Sequence, residues 1–158
     1  MCEISNIVTK LRTEFPNALV SGSDNELTIG FPETHISTDN ISKIEEIVFY
    51  RGKLISNSKE LIHVENAIVH VNTQYWSIFA RVYEYLLSEK IAIGSADIDI
   101  DSKTVSFVLT NEYLNAAQLD VIQNIINEEL GIHLTNHDSV RVFGHNSNHV
   151  MYLRLNKR

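Results

Sequence analysis

Residues 91–110 read IAIGSADIDIDSKTVSFVLT. Apolar and polar positions alternate at period two, and Asp101-Ser102-Lys103 breaks the run where a turn would fall. Such a stretch predicts a β-hairpin, with Asp97, Asp99 and Asp101 facing out and Ile98 and Ile100 facing in. Its neighbours on both sides have a different period. Upstream, Thr73 can cap a helix that places Trp76, Phe79, Ala80, Val82, Tyr83, Leu86 and Leu87 on one wide apolar face. Downstream, a helix from about Glu112 to Leu130 turns Leu114, Leu119, Ile122, Ile125 and Ile126 inward, and Gly131 closes it.

The same rhythm extends outward in both directions. Ile4, Ile7, Val8 and Leu11 recur at helical spacing until Phe15-Pro16. Residues 18–31 form a hairpin turning at Ser23-Asp24-Asn25. A second helix starts at a Thr38/Asp39 cap, carries Ile41, Ile44, Ile47 and Val48 on one face, and ends at Gly52. Residues 54–72 are strand-like, broken at Asn57-Ser58 and Glu65-Asn66. The last hairpin joins SVRVFG (139–144) to HVMYLRL (149–155). The expected order is helix, strand, strand, repeated about four times. Hairpins between amphipathic helices predict the α+β class, an antiparallel sheet with helices on one face. The expected organisation is one compact domain over 1–158, with two halves (about 1–73 and 74–158) sharing an eight-stranded sheet.

Composition narrows the function classes. A length of 158 residues with 44% hydrophobic and 21% charged positions suits one globular domain. The net charge of -7 argues against general binding to nucleic acid phosphates. The basic clusters Arg51-Gly52-Lys53 and Arg154 with Lys157 and Arg158 read as solvated charge. A single cysteine, Cys2, excludes an intramolecular disulfide framework and any zinc cluster built on cysteines. No apolar run approaches a membrane span, and residues 1–15 lack a secretory pattern. A soluble, cytoplasmic protein is expected, and the Ile- and Asn-rich mixture suggests an AT-rich coding sequence of phage or mobile-element type. There is no Gly-rich strand-to-helix turn and no phosphate-binding loop, so no nucleotide cofactor is expected.

Several residue patterns could carry chemistry. Four of the seven histidines, His133, His137, His145 and His149, fall as two H-x-x-x-H pairs embedded in Gly, Asn, Asp and Ser. Such surroundings do not hold a helix, and in an extended chain His133 and His137 stand roughly 13 Å apart, too far to share an ion. His145 and His149 would face each other if 146–148 formed a three-residue loop, which makes them the one weak metal candidate. Asp97-Ile98-Asp99-Ile100-Asp101 begins like a calcium loop, but Ser102 and Val108 stand where the required glycine and glutamate belong. The three aspartates instead form an acidic stripe suited to a basic partner. Tyr75 and Tyr85, off the apolar face of their helix, are candidate interface anchors.

Thr34-His35-Ile36-Ser37 and Ile132-His133-Leu134-Thr135 each place a histidine two residues before a hydroxyl. This doubled H-x-S/T pattern resembles the two-histidine phosphoesterases. The resemblance, confined to these short motifs, implies strand-borne histidines, His35 and His133, acting as acid and base on a phosphodiester or cyclic nucleotide. Ser37 and Thr135 would then hold the phosphate. The start MCEI resembles the class II glutamine amidotransferases, in which an N-terminal cysteine, here Cys2, is the nucleophile. The leading expectation remains non-enzymatic: an interaction protein such as an inhibitor, immunity or anti-defence factor, binding a protein with a basic surface. A homodimer through open sheet edges is the third expectation.

Overall fold

The computed structural model describes residues 4–23, 25–32, 36–49, 54–110, 114–145 and 148–155. It is an α+β structure with four helices and two antiparallel four-stranded sheets among the described residues. The chain divides into two compact units, Met1–Gln74 and Tyr75–Arg158.

In the first unit α1 (Ile4–Glu14) buries Ile7, Val8 and Leu11 at the predicted helical spacing. Strands β1 (Leu19–Gly22) and β2 (Glu26–Gly30) form the first hairpin. Helix α2 (Thr38–Val48) begins one residue earlier than expected, because the Ser37 hydroxyl accepts the Asn40 N–H and makes Ser37 the N-cap. A short 3-10 turn at Ser58–Leu61 leads into β3 (Ile62–Glu65) and β4 (Ile68–Asn72). Asn66 and Ala67, with φ of 51° and 64°, make the two-residue turn between them. Pairing of β2 with β4 gives the order β1-β2-β4-β3, with Leu27, Ile29, Val69 and Val71 buried on one face.

In the second unit α3 (Trp76–Ser88) starts three residues after the expected Thr73 cap, and α4 (Ala116–Leu130) starts four residues after Glu112. The α4 start is set by a capping box in which Asn115 and Gln118 satisfy each other's backbone N–H groups. Gly131 in the left-handed region (φ 66°) ends the helix, as its position predicts. Strands β5 (Ile93–Asp99), β6 (Thr104–Thr110), β7 (Val140–His145) and β8 (Asn148–Arg154) pair in the order β5-β6-β8-β7. The inner face buries Ala96, Ile98, Val105, Phe107, Leu109, Met151 and Leu153, and α3 lies against it through Phe79, stacked on Phe107 at 5.7 Å.

The expected eight-stranded shared sheet is not what forms. Each sheet takes all its strands from one unit, leaving β1, β3, β5 and β7 as edges. The reason lies in the pairing code: alternation tells a strand which face to bury but not which hairpin to join. Ile100 also departs from expectation. β5 ends at Asp99, so Ile100 enters the turn and is only half-buried.

Candidate functional site

The acidic stripe is split by that turn. Asp97 and Asp99 lie on β5, whereas Asp101 sits in the turn. Asp97 is half-buried, and Asp99 and Asp101 are exposed. Asp99 also acts locally, since its Oδ1 accepts the Ser102 N–H at 3.1 Å and closes the turn. That hydrogen bond favours the ionised form and holds the Asp99 carboxyl below the usual aspartate range.

The helix-borne tyrosines offer less than expected. Tyr75 is only 7% exposed. It precedes α3 and turns inward, and burial pushes its phenol pKa up. Tyr75 is therefore an interior residue and not the surface anchor expected. Tyr85 is half-buried and its hydroxyl donates to Glu89 at 3.2 Å.

Among the described residues, His133, His137 and His149 belong to no group of three or more metal-ligating side chains. His133 and Thr135 are exposed on the segment after Gly131, outside any strand, and Ser37 is occupied as a helix cap. His35 and Cys2 lie outside the described residues. The strand-borne arrangement implied by the phosphoesterase resemblance is absent at Ser37, His133 and Thr135. His137 is bonded through Nε2 to the Asp120 carboxylate. In the last hairpin the strand register pairs His145 with Asn148 and sets His149 beside Gly144. The two histidines therefore do not oppose each other. Among the described residues no group of three or more His, Cys, Asp or Glu side chains is placed to hold a metal ion.

The surface that does stand out was not singled out in the sequence. On the second sheet the residues alternating with the buried set form three rows across the strands. One row runs Ser95, Val108, Val150, Phe143; the next Asp97, Ser106, Tyr152, Arg141; the third Asp99, Thr104, Arg154. Phe143 is 57% exposed and Tyr152 40%, and their rings meet edge to face at 5.8 Å. Thr104, Arg141, Phe143, Val150, Tyr152 and Arg154 line a shallow open depression there. Neither Arg141 nor Arg154 makes an ion pair among the described residues. The face thus has an apolar, aromatic patch, an acidic flank on β5 and a basic flank on β7 and β8. Its signal in the sequence was V-R-V-F and V-M-Y-L-R. Once one face of each strand is assigned to the core, Phe143, Val150 and Tyr152 fall on the other, where polar residues are the rule for a half-solvated sheet.

The outer face of the first sheet is built differently. A row of Ser21, Thr28, His70 and His63 crosses it, with the Ser21 and Thr28 hydroxyls 2.7 Å apart and His70 Nδ1 2.5 Å from Glu26 Oε1. Ser21 with Thr28 and His70 with Glu26 satisfy each other. Leu19 and Ile68 are exposed there.

No family model, curated protein or solved structure matches the chain. Among the described residues no helix is long and apolar enough to cross a membrane.

Proposed function

We propose that the chain is a non-enzymatic protein-interaction module whose binding surface is the outer face of the second sheet. The observation that carries this reading is the exposed Phe143–Tyr152 pair, with Arg141 and Arg154 beside it on β7 and β8 and Asp97 and Asp99 across the face on β5. Exposed aromatic anchors with arginine beside them are the composition of an energetic hot spot. The partner this face fits is a protein with an apolar centre, a basic group over β5 and an acidic group over β7. The acidic stripe keeps its expected part, meeting the basic group and steering approach. An inhibitor, immunity or anti-defence role in the cytoplasm of a phage- or mobile-element-bearing cell is the form of this reading in which the partner is a toxin, nuclease or defence protein.

The test is a photo-crosslinking residue at Phe143, compared with one at the exposed Asn124 on α4, in the full chain inside its native host. A discrete protein adduct at Phe143, absent at Asn124 and lost on Tyr152→Ser, is the expected result. Equal labelling at both positions, or none at Phe143, would overturn the assignment of this face.

A further inference from the structure

We infer that the partner of the outer face of the second sheet is a second copy of this chain, joined face to face about a two-fold axis that runs parallel to the strands. The inference rests on the reading of that face as a binding surface and names its occupant.

The order of residues in the rows supplies the reason. From β5 to β7 the central row is acidic, hydroxyl, aromatic, basic: Asp97, Ser106, Tyr152, Arg141. A two-fold axis lying in the interface, parallel to the strands and between β6 and β8, lays each row over the same row reversed. Asp97 then stands over Arg141 of the second copy, and its Arg141 over the second Asp97. In the neighbouring row Val108 meets Val150, so aliphatic surface covers aliphatic surface, and the Phe143 ring lies over Ser95 at the interface margin. In the third row Arg154 stands over Thr104 of the second copy, one strand spacing of about 4.8 Å from its Asp99.

The other symmetric choice fails on charge. An axis in the same plane but perpendicular to the strands keeps each strand over its own copy. Asp97 would face Asp97 and Arg141 would face Arg141, and like charges directly opposed are destabilising. Sheets packing face to face keep their strands within about 30° of each other, a condition both axes meet, so charge decides between them. The central row lies nearest the crossing point, where that angle disturbs the alignment least, and it carries the two charge pairs.

A uniformly basic partner fits less well, because it would leave Arg141 and Arg154 opposed by like charge. At a net charge of -7 per chain, two copies repel at long range, so association must come from this local complementarity.

The test is a charge exchange in the full chain, read by sedimentation over a wide concentration range. The unaltered chain is expected to dimerise. Asp97→Arg and Arg141→Asp should each weaken the homodimer by about tenfold or more. Mixing the two variants restores both opposed pairs, so the heterodimer should be tighter than either homodimer, and the doubly exchanged chain should regain self-association. Asp97 is half-buried and Arg141 exposed, and thermal unfolding of each variant separates lost pairing from lost fold. A chain that stays monomeric, a dimer indifferent to both changes, or a mixture no tighter than its components would overturn the inference. A monomer that still crosslinks another protein through Phe143 removes the second copy and leaves the binding face standing. A monomer with no adduct removes both.

Discussion

Gln123 and Ser139 are held together by two hydrogen bonds in the interior of the second unit. Gln123 Oε1 accepts the Ser139 N–H at 2.8 Å, and its Nε2 donates to Ser139 Oγ at 3.1 Å. The same Nε2 reaches Asn127 Oδ1 at 3.0 Å, and Asn127 in turn bonds both the N–H and the C=O of Leu134. Two polar side chains of α4 thus pin the irregular segment 132–139 that delivers the chain to β7. The outer-face rows depend on that delivery, because one residue of slip in β7 would turn Phe143 to the other face.

The network sets the first prediction. Gln123→Leu leaves the buried Ser139 N–H and hydroxyl without their partner and should cost about 2–4 kcal/mol of unfolding free energy. Urea unfolding followed by the fluorescence of Trp76, the single tryptophan and a buried one, reads it out. A loss below about 0.5 kcal/mol would mean that water satisfies Ser139 as well as Gln123 does.

A second prediction concerns the β3–β4 turn. Ala67 has a φ of 64°, where a Cβ costs about 1–2 kcal/mol and glycine is at ease. Ala67→Gly should stabilise the first unit by up to about 1 kcal/mol, after the greater chain entropy of glycine is offset. Hydrogen exchange of the β3 and β4 amides measures the gain. Faster exchange in the variant would contradict the turn geometry.

The third follows from Asp99. Its carboxyl pKa is lowered in the folded chain by the Ser102 N–H, so the stabilisation is present above the ordinary aspartate range. It is lost as pH falls through the lowered folded value. Asp99→Asn keeps an acceptor but no charge, and the advantage of the unaltered chain over it should shrink across that acidic window. Carboxylate titration by NMR should place Asp99 below the usual aspartate value. A midpoint at or above it would sink the account.

The sequence alone was enough for the α+β class, the helices and the hairpins. Those are local properties: Ile7, Val8 and Leu11 at helical spacing, Gly131 after α4 and the turn residues after β5 each carry their own physics within a few positions. Helix starts shifted where a specific cap competed, as Ser37 and Asn115 show. Tertiary structure decided the rest. Which hairpins pair is a choice between strands that look alike in alternation, so two sheets could not be told from one. The register of the last hairpin pairs His145 with Asn148 and not with His149. The outer-face cluster gathers residues from four strands, separated by up to 59 positions between Ser95 and Arg154. Only the register of three strand pairings brings Asp97, Tyr152 and Arg141 into one row, because charge and aromatic character are written residue by residue while adjacency is made by folding.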